Sequence, residues 1–197
     1  MSDQKPFLTY KESLPPHLGG HDNITHTDEG ALLYLRDECG IKSVMDIGCG
    51  PGGQVKLARS LGITAEGVDG DWSLKTSGAL ADMVVHDYTN GPYIPFHSWA
   101  VAWSVEFLEH LEERFLANVF FTFRKCGLIV ITHALPGTER AYHHVNCRTP
   151  EYWDWQFGTR GFAWDAKRTN SLREASTMTR NFMRETGRIY RNHFHMR

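Results

Sequence analysis

The sequence predicts an α/β fold: a doubly wound, mostly parallel sheet of about seven strands with helices on both faces. Three observations predict it. Short β-branched or apolar runs recur along the chain and alternate with segments whose apolar residues repeat at helical spacing. The first such run passes directly into a glycine-rich turn and then a helix, an arrangement that lets a ligand approach the backbone closely. The length, 197 residues, suits one domain with a substantial core and is short for two.

In chain order, residues 1–26 are rich in Pro, Gly and His and read as an N-terminal arm or lid. A helix is expected from Thr27, where Ala31, Leu32 and Leu35 share a face and Gly40 stops the run. Ser43 to Ile47 is the first strand, followed by Gly-Cys-Gly-Pro-Gly-Gly and a helix through Leu57 and Leu61. Thr64 to Val68, Met83 to Val85 and Trp99 to Trp103 are the next three strands. A helix is expected from about Glu106 to Arg124, before Cys126-Gly127, and Leu128 to Thr132 is a strongly apolar fifth strand. Residues 134–150 read as a long polar loop. Thr149-Pro150-Glu151 has the chemistry of a helix start: a capping hydroxyl, a first-turn proline and an acid near the dipole. Phe162 to Trp164 and Arg188 to Tyr190 are two further strands, with a helix between about Ser171 and Thr186. No repeat or low-complexity segment interrupts the chain, so residues 1–197 are read as one domain: the arm, a core over 43–134, and acceptor-side elements over 135–197.

Composition excludes several classes. Hydrophobic residues make up 41% and charged residues 22%, which is globular rather than disordered. Lys plus Arg is 21 against 23 Asp plus Glu, a net charge of −2, without the basic excess of a dedicated nucleic-acid binder. The basic run Arg168, Arg173, Arg180, Arg184, Arg188, Arg191 and Arg197 reads as a solvated helix face. No apolar stretch approaches the ~18 residues that span a bilayer, so no membrane partner is expected. Met1 to Tyr10 lacks the apolar core of a secretory signal. Cys39, Cys49, Cys126 and Cys147 show no paired spacing, and a reduced, cytoplasmic protein is expected. The sequence sets no oligomeric state.

The most informative segment is Val44-Met45-Asp46-Ile47-Gly48-Cys49-Gly50-Pro51-Gly52-Gly53, a strand entering a glycine turn ahead of a helix. A second strand closes on Gly67-Val68-Asp69, about the right interval for an acid that takes ribose hydroxyls. This stretch resembles motif I of the class I methyltransferases, a Rossmann-like superfamily that uses S-adenosylmethionine (SAM) and whose loop typically reads Asp-x-Gly-x-Gly-x-Gly. Nicotinamide-binding loops usually lack the acid two residues before the first glycine, which disfavours a dehydrogenase. The resemblance covers about residues 43–134. It implies that Asp46, Gly48, Cys49, Gly50 and Gly52 hold the amino-acid end of SAM, that Asp69 and Gly70 take the ribose, and that Trp72 covers the adenine. It further implies Asp87 and Tyr88 beside the adenine amino group and Trp103 near the methyl group.

SAM carries its own leaving group, so the protein must align the acceptor and, for a hydroxyl, remove a proton. In Glu106-Phe107-Leu108-Glu109-His110, helical spacing would bring two carboxylates and an imidazole to one face, a set that suits Mg²⁺ or Mn²⁺, or less selectively Zn²⁺. The pattern is similar to two metal-assisted groups of the superfamily, the O-methyltransferases of the ubiquinone pathway and those that methylate the terminal 2′-hydroxyl of small RNAs. It also occurs in methyltransferases without a metal, where the acid caps a helix and the histidine packs; both readings stay open. Downstream, Ala141-Tyr142-His143-His144-Val145-Asn146 offers a histidine to complete a metal shell or act as general base. The expected metal set is Glu106, Glu109, His110 and His144, and the catalytic candidates are His144, favoured over His143, and His110. His133 is a further option, and His21 and His26 either close over the site or are ordinary loop residues. Tyr152, Trp153, Trp155, Phe157, Phe162 and Trp164 are core or an aromatic platform.

The Asn/Asp-Pro-Pro-Tyr motif of base N-methylation is replaced here by Trp103-Ser104-Val105-Glu106. His-His-Val-Asn with the following Tyr-Trp resembles methyltransferases found near glycan-modifying genes and in viral genomes, which implies a sugar hydroxyl. The expected function is therefore SAM-dependent O-methylation of a small or glycan-linked hydroxyl, with a divalent metal as an optional cofactor. The alternatives are methylation of RNA ribose or protein, or a SAM-binding module without catalysis.

Overall fold

The computed structural model describes residues 14–76 and 82–195; the first part of the expected arm, residues 1–13, lies outside them. Seven strands form one sheet: β1 (Ser43–Ile47), β2 (Thr64–Asp69), β3 (Val84–Val85), β4 (Trp99–Ser104), β5 (Cys126–Ile131), β6 (Phe162–Trp164) and β7 (Arg188–Asn192). Their order is β3-β2-β1-β4-β5-β7-β6. β1 pairs in parallel with both β2 and β4, and β3 and β5 extend the sheet in parallel on either side. β7 runs antiparallel between β5 and β6.

The strands are apolar on both sides because both faces are covered. Val44, Val101, Trp103, Val130 and Ile189 pack with Ala31, Leu32 and Leu35 of α1 (Glu29–Asp37), Val55 and Ala58 of α2 (Gly53–Ser60), Leu172 of α6 (Ala166–Ala175) and Met183 of α7 (Phe182–Thr186). Their chain neighbours Met45, Ala102, Ile129 and Tyr190 point the other way. These meet Val119, Phe120 and Phe123 of α4 (Leu116–Phe123) and Trp153 and Phe157 of α5 (Pro150–Gly158). A short α3 (Ser73–Thr76) follows β2. Half of the aromatic segment is therefore core: Trp153, Phe157 and Phe162 are buried, Tyr152 is half-buried, and Trp155 and Trp164 face solvent. Among the described residues no helix is long and apolar enough to cross a membrane.

Two helices differ from the sequence reading. The expected helix from Glu106 to Arg124 is not continuous. Glu106 sits at φ 51°, short 3₁₀ turns cover Leu108–His110 and Glu113–Phe115, and extended Leu111 and Glu112 separate them. Tertiary bonds take the groups a helix would use. The Glu106 N–H donates to Thr132 Oγ1, and the Glu109 carbonyl accepts from the N–H groups of Val145 and Asn146 at 2.9 and 3.0 Å. The helix expected between Ser171 and Thr186 is instead α6 (Ala166–Ala175) and α7 (Phe182–Thr186). Between them, Ser176 Oγ and the Thr177 N–H bond to the Asp28 carboxylate at the start of α1. Thr149 does stand ahead of α5 with Pro150 in the first turn, but its hydroxyl makes no capping bond.

Candidate active site

The chain reverses direction across the sheet between β1 and β4, and a cavity of about 400 Å³ opens at the carboxyl ends of these strands. The turn after β1 forms its floor. Gly48, Gly50 and Gly52 all adopt positive φ (76°, 49° and 76°), and a Cβ at Gly48 would lie 2.5 Å from the Phe107 ring. Only glycine fits a left-handed turn under such a contact. Gly48 and Gly50 line the cavity with Cys49, whereas Gly52 sets the N-terminus of α2 just outside it. The Cys49 thiol is pushed up by burial and by Asp46 and Asp69, so it stays protonated and unreactive.

Asp46 is 4% exposed, faces the cavity and has no basic partner among the described residues; burial, then the Asp69 charge, pushes its carboxyl up to about 8. Asp69 is folded onto the backbone, accepting the Gly50 N–H at 2.8 Å and the Asp71 N–H at 2.9 Å. Burial outweighs these bonds and raises its carboxyl as well. A buried and a half-buried acid, with no lysine or arginine in the cavity wall among the described residues, make this part of the cavity attractive to a cationic ligand.

The other expected cofactor residues divide. Gly70, Asp87, Tyr88 and Trp103 line the cavity. The Asp87 carboxylate accepts the Thr89 N–H and takes His17 Nε2 at 2.9 Å, and the Tyr88 hydroxyl is tied to Thr122 Oγ1 at 2.9 Å. Trp72 is 48% exposed and outside the cavity wall, because the turn after β2 directs it to solvent.

Glu109, His110 and His144 come together beside the cavity, each offering a ligand atom within 4.8 Å of the others. Their meeting follows from the 3₁₀ turn and the 145–146 hydrogen bonds rather than from a helical face. Both Glu109 carboxylate oxygens are buried and, among the described residues, accept no hydrogen bond. Burial, then the charge of Glu106, holds this carboxyl far above the usual range. A buried carboxylate left so is costly, and a cation would remove the cost. Burial and the neighbouring histidines lower His110 to about 4, and burial lowers His144, so both imidazoles are neutral, the ligating form. Glu106 lies outside this trio but lines the cavity beside it, its Oε1 held by Thr132. His143 (φ 48°) lies outside the cavity wall. His133 is buried against Trp153 with both ring nitrogens unpaired, and it too lies off the cavity.

The arm supplies wall residues with no strong sequence signal. His17, Leu18, Gly20, His21, Thr25 and His26 all line the cavity. His21 Nε2 lies 3.0 Å from buried Asp71, the Tyr142 hydroxyl donates to the Leu18 carbonyl at 3.1 Å, and Gly20 packs against the His110 ring. Asp22 and Asn23 turn the arm through positive φ. Thr25 Oγ1 then accepts the Gly53 N–H at 3.1 Å and so caps α2, whose own N-cap is a glycine.

No family model and no curated protein matches the chain. Solved structures do. The plantazolicin methyltransferase BpumL in complex with SAH superposes with TM-score 0.56 over 83% of this chain and 82% of that one, at 12% identity. The methyltransferase domain of bacterial CtHen1 gives 0.53 over 82% and 95%, at 14% identity. Human N-acetylserotonin methyltransferase in complex with SAM gives 0.55 over 83% and 51%, at 14% identity. The chain has the fold of the class I SAM-dependent methyltransferases.

Proposed function

We propose that the protein is a SAM-dependent O-methyltransferase acting on an uncharged hydroxyl of a small or glycan-linked acceptor, assisted by a divalent cation. The observation that carries this reading is the make-up of one cavity: the glycine turn, Asp46 and Asp69 with Glu106, His110 and His144, and among the described residues no lysine or arginine in the wall. Such a wall suits a sulfonium cofactor and a cation. It gives no counter-charge to a phosphate, so it favours a neutral acceptor over RNA. The SAM- and SAH-bound neighbours of the same fold support the cofactor assignment.

Asp46 would face the cationic amino-acid end of the cofactor, and Asp69 the ribose. Asp87, beside Tyr88, would take the adenine amino group. Glu109, His110 and His144, with Glu106 beside them, would fit a Mg²⁺- or Mn²⁺-type ion, which would let the buried Glu109 carboxyl ionise. When bound, the ion supplies Lewis acidity that eases loss of the acceptor's hydroxyl proton. Trp103 and the 134–149 loop then confine the acceptor, and the arm from Leu14 to Ile24 acts as the lid that excludes water.

The test is calorimetric titration of SAH and of Mn²⁺ into wild type and Glu109→Gln. The reading expects SAH binding in both proteins and Mn²⁺ binding in wild type alone. SAH binding without Mn²⁺ binding would remove the cation and leave His144 as the base, and absence of SAH binding would overturn the reading.

A further inference from the structure

Glu106 is held in a backbone conformation that side chains avoid. At φ 51° a residue with a Cβ is strained, and no glycine relieves the position. One neighbour meets it at two points. Thr132, fully buried just past β5, accepts the Glu106 N–H on its Oγ1 at 2.8 Å and donates the same hydroxyl to Glu106 Oε1 at 2.7 Å. A threonine hydroxyl has one proton and two lone pairs, so this ring uses its donor and one acceptor on a single residue. The Thr132 N–H in turn donates to the Ser104 carbonyl at 3.2 Å, which ties the hydroxyl to the end of β4.

Thr132 is not itself in the cavity wall, whereas Glu106 is. With Oε1 engaged by Thr132, the other carboxylate oxygen is the one left for the cavity. We propose that Thr132 is a positioning residue: its hydroxyl locks the left-handed backbone and the carboxylate rotamer of Glu106, and so presents one defined oxygen beside Glu109 and His110. The consequence for cation binding rests on the proposed function; the lock itself does not. Valine at 132 keeps the shape of the side chain and removes both bonds. Serine keeps both bonds and loses only a methyl group.

A double-mutant cycle on unfolding by urea tests the lock without cofactor or cation. Thr132→Val is expected to lower the folding equilibrium constant about tenfold or more in wild type. In Glu106→Gly, where the backbone is relaxed and the carboxylate gone, the same change should cost at most about a third of that factor. Equal losses in the two backgrounds would overturn the proposal. Mn²⁺ titration then reads the positioning. Thr132→Val should weaken Mn²⁺ binding about tenfold with SAH affinity unchanged, and Thr132→Ser should restore it to within a few-fold of wild type. Wild-type Mn²⁺ affinity in Thr132→Val would also overturn the positioning role. If wild type itself binds no Mn²⁺, the cation in the proposed function falls, and the urea cycle alone still decides whether Thr132 locks Glu106.

Discussion

Replacing Asp46 by asparagine should make the ligand-free protein more stable while crippling cofactor binding. Asp46 is 4% exposed at the end of β1, and burial followed by the Asp69 charge raises its carboxyl from the ordinary 3.8 to about 8. The unfolded chain thus loses this proton near pH 4, whereas the folded protein keeps it to about pH 8. The contribution of Asp46 to stability is greatest below pH 4 and declines through the window from 4 to 8, by up to about 1.4 kcal/mol per pH unit. At pH 7 that loss spans roughly three units, about 4 kcal/mol as an upper bound, and solvent reaching the cavity reduces it to about half. The asparagine amide, without a partner of its own, costs about 1 kcal/mol. A net gain of about 1 kcal/mol is expected at pH 7, read as a higher urea midpoint, and it should shrink as pH falls towards 5. SAH and SAM affinities, measured by calorimetry on the same variant, should drop at least about tenfold, since the cationic end of the ligand would lose the carboxyl proposed to face it, which ionises on pairing. A stability difference that does not change between pH 5 and 7.5 would refute the account of Asp46 as a buried acid held protonated by its surroundings. Retained affinity would refute its placement against the cofactor.

Two further substitutions probe the same part of the cavity. Asp69→Ala removes the acceptor of the Gly50 and Asp71 N–H groups and the proposed ribose ligand, so SAM affinity should fall about 10- to 100-fold; calorimetry showing unchanged binding would reject that role. Gly48→Ala adds a Cβ 2.5 Å from Phe107 at a φ of 76° and should cost about 1–3 kcal/mol, seen as a lowered Tm together with loss of SAH binding. A variant with wild-type Tm and affinity would show that the turn is not as tight as its geometry states.

All seven strands were readable in the sequence as short β-branched, apolar or alternating runs, and the Val44–Gly53 segment was readable because its glycines are needed where they stand. The three ligand-type residues Glu109, His110 and His144 were also visible, but for a different geometric reason than spacing suggests. Leu108, Leu111 and Phe115 repeat as a helix would, yet hydrogen bonds to Thr132 and to residues 145–146 outweigh local propensity there. Contacts such as Tyr142 to Leu18 and His17 to Asp87 join distant parts of the chain and leave no local pattern. Trp72 shows the converse: a plausible residue type at a plausible interval, turned outward by its own loop.

Because Thr25 completes the first turn of α2, the arm has a fixed foot. Peeling it away there would uncap the helix that carries the glycine turn, so any swing is confined to the span before Asp22 and Asn23, whose left-handed backbones mark the bend. That span touches Asp87 through His17 and His110 through Gly20, both in the cavity wall. If the arm is the proposed lid, one motion would therefore uncover the proposed cofactor and cation sites together. On that reading an acceptor bulky enough to prop the lid open would expose the cofactor as well, which would favour acceptors that are small or that enter by a slender terminus.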